Sequence, residues 1–465
     1  MRGTASDSVL RSAVSEMPMR IRRAYKDWMN APDHVQQRGV RIQVTVEDTD
    51  PLRWLTGQRF PRKSYWAARD RDEKVAGLGC CVECTADSVE APEAVFQKGR
   101  EILSRFGPQK PCFFGGFSFS ESSMEERPWP EMGKCRFWIP FAELCRRDGK
   151  TLLCCNLYFR RNVEVNLTEL LDEWQLVTGA VQVPEPLPTL ICRRDFPDRE
   201  GWEANVLAAL DLIHHAVLDK VVLARKAEYT FATAVTASEI LAVLEQVTSN
   251  CYHFLLQPSE RVAFMGTPPE CLYRREGREL HTEALAGTRP RVSDTEEDER
   301  LGQELLDSPK ERHEQELVRR DVMRALHLLA CSVESEERPK LLRLERKQHL
   351  LSRLRATLQE GVGDAEILQA LHPTPAVGGS PRGNALRELK RLEPFSRGWY
   401  AAPVGCFGED SAEFAVAIRS GLVRDRQVNV YSGAGIVEGS DPAAEWQEIE
   451  NKISDFVKVT GGRIL

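Results

Sequence analysis

Arg41-Ile-Gln-Val-Thr-Val46 alternates apolar with polar or charged residues, and most of its side chains are β-branched. A period of two puts Ile42, Val44 and Val46 on one face of an extended chain and Arg41, Gln43 and Thr45 on the other, the pattern of a strand with one side against a core. Outward from it, aromatic and β-branched runs return in Phe113-Phe-Gly-Gly-Phe-Ser-Phe119 and over residues 152–159. Together these predict strands of a large antiparallel sheet. The Pro-rich stretch Val183-Pro-Glu-Pro-Leu-Pro188 ends this part of the chain. Beyond it, helical and strand patterns alternate irregularly, without the βαβ rhythm of a doubly wound fold. Gly433-Ala-Gly435-Ile-Val-Glu-Gly439 looks superficially like a dinucleotide loop, but its third glycine falls one place late and a helix starts only after Asp441. Residues 334–360, dense in charge at helical spacing, read as a solvated helical face.

Of the 465 residues, 42% are hydrophobic and 29% charged, a soluble globular balance, and there is no repeat or low-complexity tract. Lys and Arg number 63 against 70 Asp and Glu, a net charge of -7, which argues against general nucleic-acid binding. An anionic substrate remains compatible if local cations or a metal reverse the field at its site. No run approaches the roughly 20 apolar residues of a membrane helix. The N-terminal stretch has no apolar core of a secretory signal, so the cytoplasm is the expected compartment. Thirteen cysteines, an odd number, read as reduced thiols, and the lone Cys81/Cys84 pair lacks the second ligand pair of a zinc site.

Two helix starts frame the candidate chemistry. Ser308-Pro309-Lys310-Glu311 is a capping box with proline at the first helical position. Glu314 then lies on or beside the inward face marked by Leu317, Val318 and Leu326. Asp441-Pro442 opens a final helix with an apolar stripe of Ile449, Ile453, Phe456 and Val457, flanked by Glu445, Glu448 and Lys452. Carboxylates at a buried edge need a cation, so Glu314, Glu445 and Glu448 could form an all-oxygen magnesium site, or surface salt bridges. In Glu413-Phe-Ala-Val-Ala-Ile-Arg419 the arginine follows two alanines on its face, with room for a bidentate grip on a carboxylate. Ser432-Gly-Ala-Gly435 is either an anion-binding run of amides or a tight turn after an edge strand. Lys220 opens an apolar strand as a surface residue or, if buried, as a general base, and Glu270 is an acid or a cap.

Asp219-Lys-Val-Val-Leu-Ala-Arg225, Gly266-Thr-Pro-Pro-Glu-Cys-Leu272, Glu283-Ala-Leu-Ala-Gly-Thr-Arg289, His372-Pro-Thr-Pro-Ala-Val-Gly-Gly379, Tyr431-Ser-Gly-Ala-Gly-Ile436 and Ser440-Asp-Pro-Ala-Ala-Glu-Trp-Gln-Glu448 occur in that order. This ordered set, from about residue 200 to the end, resembles the chorismate-utilising enzymes. Upstream, Tyr65-Trp-Ala-Ala-Arg-Asp70 and Phe114-Gly-Gly-Phe117 resemble the isochorismate synthases of the menaquinone and siderophore types. The resemblance implies one large α/β domain of the α+β type, with two large antiparallel sheets packed face to face and helices outside. Residues 1–190 would be the N-terminal portion of that sandwich, not folding independently, and 191–465 the chorismate-binding catalytic region.

It also implies roles. Lys220 matches the base that activates water for attack at C2 of chorismate, and Glu270 the acid that protonates the departing C4 hydroxyl. Glu314 and Glu448 match ligands of Mg2+, with Glu445 nearby. Arg419, Tyr400 and the amides near Gly433 and Gly435 match the grip on the enolpyruvyl carboxylate. Gly287, Thr288, His372 and Lys452 match other substrate-lining positions. Lys220 stands where ammonia-using members typically carry glutamine, which implies water as nucleophile and no glutaminase subunit. Ala286 stands where aminodeoxychorismate synthases often carry a nucleophilic lysine, and the Leu-Leu-Glu-Ser of anthranilate synthases is missing. Thr267-Pro268-Pro269 departs from the more usual Gly-Ser/Ala-Ser-Pro. The implied activity is isochorismate synthase, an isomerase feeding menaquinone or siderophore biosynthesis and working as a monomer or weak homodimer. The alternatives are a salicylate synthase, disfavoured by Glu283-Ala284 where salicylate enzymes carry a proline, and a chorismate-binding regulator without turnover.

Overall fold

The strand expected at 41–46 is the C-terminal part of Gln37–Val46, which pairs along its whole length with Lys150–Arg160 at one edge of a sheet. The computed structural model describes residues 5–32, 34–89, 92–121, 129–163 and 165–459. Among them the strands form two sheets, one of twelve and one of ten strands, with antiparallel pairing throughout. From that edge the larger sheet runs through Ala142–Arg147, Glu73–Leu78, Lys63–Ala67, His253–Gln257, Val262–Gly266, Ser420–Arg424 and Gln427–Ile436 to Lys220–Phe231. The smaller sheet places Lys347–Leu358, Glu279–Pro290, Cys271–Glu276, Ser411–Val416, Pro403–Phe407 and Phe113–Phe117 side by side. Both sheets therefore interleave strands from before and after residue 190. The chain is a mixed α/β unit of two large antiparallel sheets with helices.

Alternation along the central strands assigns their faces. Trp66, Leu223, Phe254, Phe264 and Tyr431 of the larger sheet share one core with Phe113, Phe137, Val404 and Phe414 of the smaller. Their neighbours Tyr65, Leu255, Met265 and Val430 face the other way, into a second core roofed by helices. With both faces covered, these strands carry apolar side chains on both sides, and each fully buried large side chain contributes on the order of 1.5–3 kcal/mol. One roofing helix is Ala5–Met29, in a stretch the sequence reading left without an element. Leu10, Met17, Ile21 and Trp28 make its buried stripe, with charged residues between them obscuring the apolar signal. No helix among the described residues is long and apolar enough to cross a membrane.

Three local expectations are corrected. Residues 334–360 do not form a helix: they supply Lys340–Arg343 and Lys347–Leu358, the latter paired on both sides within its sheet. Arg353 and Arg355 point outward while Leu354, Ala356 and Leu358 are buried, so the charges follow a period of two. The strand expected to reach Arg419 stops at Val416, and Arg419 itself adopts a left-handed φ of 51°. Ser432–Gly435 is not a turn: it continues the strand Gln427–Ile436 and pairs with Lys220–Phe231, while the pairing of that strand with Ser420–Arg424 ends at Tyr431.

Candidate active site

The strand Lys220–Phe231 begins with a lysine that is only 1% exposed. Its Nζ donates to Glu314 Oε1 at 2.6 Å. Space for that side chain comes from Gly435 on the adjoining strand, where a Cβ would stand 2.8 Å from Lys220 Cε and 3.2 Å from Glu314 Oε1. Glu314 and Gly435 line a cavity whose wall also includes Glu270, Gly287, Thr288, Tyr400, Arg419, Gly433, Glu445, Glu448 and Lys452. The structure thus collects residues that lie more than 200 positions apart in the chain.

Glu270 reaches this cavity from the loop between Val262–Gly266 and Cys271–Glu276. Backbone bonds fix the loop: Tyr252 N donates to Pro268 O, Thr267 N to Arg419 O, and Val416 N to Glu270 O, at 2.8, 3.0 and 3.1 Å. Burial pushes the Glu270 carboxyl up to about 8, Glu283 adds to the rise, and Lys220 and Arg69 oppose it. A carboxyl that keeps its proton near neutrality can act as an acid. Lys220 pairs with Glu314, and no ion pair joins it to Glu270 among the described residues.

Arg419 is held by a residue the sequence reading missed. Its Nη2 lies 2.8 Å from His349 Nε2, while His349 Nδ1 lies 3.1 Å from Gly287 O. Burial first, then the Arg419 charge, push the imidazole well below its usual range and keep it neutral. The assigned tautomer then has Nδ1–H donating to Gly287 O and Nε2 accepting from Arg419. Gly287 has a φ of 73°, and a Cβ there would meet Glu311 Oε2 at 2.9 Å, so glycine serves both backbone and space. His349 escaped notice because it lies on Lys347–Leu358, within the stretch taken for a solvated helix. Lys347, two residues earlier, is pushed down to about 6 by burial and then by Arg419.

The helices Pro309–His327 and Pro442–Val459 start where expected, the first with Ser308 accepting from Glu311 N, the second with Asp441 accepting from Ala444 N at 2.8 Å. They bring Glu314, Glu445 and Glu448 to one cavity but do not close a metal cage. Among the described residues no three His, Cys, Asp or Glu side chains are gathered as they stand into a metal-binding cluster. Instead Lys220 holds Glu314, and Lys452 Nζ lies 2.6 Å from Glu448 Oε1 and donates to Gly433 O at 2.8 Å. The donor chemistry still suits magnesium: burial and then the Glu448 charge raise the Glu445 carboxyl above its usual range, a like-charge strain that a cation would relieve.

Tyr400 stacks on Tyr431 with ring centroids 5.3 Å apart, beside Gly433. His372 is not brought to this cavity. It follows the end of Asp364–Leu371, packs edge-on against Phe119 and lines a separate cavity with Gln369 and Arg382. Burial pushes it down to about 3, which fits a neutral packing residue. From the same motif it is Ala376 and Val377 that face the main cavity.

Comparison with known proteins gives the family. The family described as chorismate binding enzyme matches residues 26–461. Isochorismate synthase MenF of Escherichia coli is 32% identical over 420 residues, covering 89% of this chain and 92% of that protein. The salicylate biosynthesis isochorismate synthase of Pseudomonas aeruginosa is 35% identical, covering 75% and 74%. The solved structure of MenF, the menaquinone-specific isochorismate synthase from Escherichia coli, superposes with a TM-score of 0.80 at 29% identity, over 96% of this chain and 100% of that one. The chain is a member of the chorismate-binding enzyme family.

Proposed function

We propose that this protein is an isochorismate synthase, converting chorismate to isochorismate by adding water at C2 and expelling the C4 hydroxyl as water. The observation that carries this reading is that a buried glutamic acid on the cavity wall, protonated near neutrality, lies within charge range of a buried lysine held by Glu314 of the same wall, with no ion pair between the two among the described residues. Lys220, released from Glu314 and present as the neutral amine, takes a proton from water as its oxygen bonds to C2. The ring double bonds shift, and Glu270 gives its proton to the hydroxyl leaving C4. One water enters and one leaves, so the net change is an isomerisation. Arg419, held by His349, grips a substrate carboxylate, and Tyr400, Lys452, Gly287, Thr288 and the backbone at Gly433 and Gly435 complete the walls. Glu314 and Glu448, with Glu445, would hold a magnesium ion, which supplies positive charge to the ring carboxylate when bound. Water as nucleophile removes the need for a glutaminase subunit.

Turnover of chorismate with magnesium in 18O-enriched water tests this reading. Isochorismate carrying solvent oxygen at C2 is expected, and unlabelled isochorismate would contradict addition of water.

A further inference from the structure

The segment before Glu270 cannot hold itself in place. Pro268 and Pro269 have no amide hydrogens, so local hydrogen bonds cannot close the turn. Besides the backbone bonds it shares with Tyr252, Arg419 and Val416, the segment is gripped by side chains from far away in the chain. Arg69, whose side chain is 2% exposed, donates from both terminal nitrogens to the two oxygens of Glu283, Nη1 to Oε2 at 2.9 Å. The same Nη1 also donates to Pro269 O. On the other side, Cys271 N points at Glu283 Oε2 at 3.4 Å. One buried ion pair therefore touches the peptide group before Glu270 and the one after it. Arg69 is fixed in turn by Asp70 at 2.9 Å and by the face of Tyr252, 5.6 Å from its ring centre. A buried ion pair is weak evidence for stability, since apolar replacements of equal volume often do as well, so placement is the better account of this one.

Resting on the reading of Glu270 as the acid, we propose that Arg69 and Glu283 are positioning residues for the acid step, a clamp that fixes the backbone on both sides of Glu270 and holds its carboxyl at the cavity. Neither needs to touch substrate. The clamp also sets the local charge. Facing Glu270 are Lys220 from its strand, Arg69 from the segment after Lys63–Ala67, and Glu283 from Glu279–Pro290, while Tyr252 and Glu413 stand behind the pair. Glu283 favours the protonated acid, and Arg69 and Lys220 oppose it.

Glu283→Gln keeps the size and the hydrogen-bond acceptor but removes the negative charge and leaves Arg69 unbalanced. Its high-pH limb of kcat, where Glu270 loses its proton, is expected to move down by about one pH unit or more. Chorismate KM should stay within about threefold of the parent, because Arg419 is untouched. Arg69→Lys keeps the charge without the two-pronged grip: the limb should stay while kcat falls by about tenfold. A variant pair Arg69→Gln/Glu283→Gln, neutral on both sides, should bring the limb back towards the parent and carries the test if Glu283→Gln does not fold. A parent-like limb in Glu283→Gln, a loss in KM rather than kcat, or a double variant with the limb no higher than the single one would each overturn the clamp. Glu270→Gln separates the two claims. If it retains turnover the acid assignment fails, whereas an inactive Glu270→Gln beside an unshifted Glu283→Gln refutes the clamp alone.

Discussion

Glu270 is a residue whose function works against stability. In the folded protein its carboxyl holds the proton up to about pH 8, whereas the unfolded chain releases it near the ordinary 4.5. Between those values the folded state binds the extra proton, so this group's contribution to stability falls as pH rises through the window. Glu270→Gln should therefore melt higher than the parent at pH 8 and nearly with it at pH 4, while losing on the order of 10²-fold or more in turnover. Calorimetry at the two pH values checks the first half; an equal melting temperature at pH 8 would show that the carboxyl is not desolvated as described. Lys220→Ala should likewise lose most turnover with chorismate binding kept by Arg419. Near-parent turnover in that variant would remove the base. Both residues were singled out in the sequence because each adjoins an apolar strand; only the family resemblance joined them in one site, since no spacing relates positions 220 and 270. His349, Arg69 and Glu283 were missed as supports because their roles exist only across strands.

At the scale of elements, the two capped helices deliver the carboxylates. Ser308-Pro309 and Asp441-Pro442 marked these starts in the sequence because caps are local chemistry. What the carboxylates touch was only partly local: Lys452 reaches Glu448 one turn away on the same helix, whereas Lys220 reaches Glu314 from a strand elsewhere in the chain. Glu314→Gln and Glu448→Gln should each abolish magnesium-dependent turnover with the fold intact, and calorimetric titration should show magnesium binding weakened. Near-normal activity at modest magnesium would exclude that residue as a ligand. On the facing strand, Gly435→Ala places a methyl 2.8 Å from Lys220 Cε, the far end of a flexible side chain. The strand should accept it with little change in melting temperature while kcat falls by about tenfold through the displaced lysine. The strand Lys347–Leu358 shows why element type was misread. Its charges sit on the outward face of a sheet, and a charged stripe at mixed spacing satisfies a helical pattern equally well.

For the whole molecule, the division near residue 190 seen in composition is not a physical boundary. Lys63–Ala67 pairs with His253–Gln257, and Phe113–Phe117 with Pro403–Phe407. A fragment of residues 191–465 would expose both partner strands as open edges. It should be insoluble or lack a cooperative unfolding transition, and a soluble fragment that melts cooperatively would contradict the interleaved sandwich. The antiparallel sheets were legible from alternation, but the order of strands within them was not, because pairing is chosen by the shared core.

The central claim is tested most directly by the product. Purified protein incubated with chorismate and magnesium, with and without ammonium, should give isochorismate as the product separated by chromatography, and the same product when ammonium is present. Salicylate with pyruvate, anthranilate formed at a comparable rate, or chorismate recovered unchanged would contradict it.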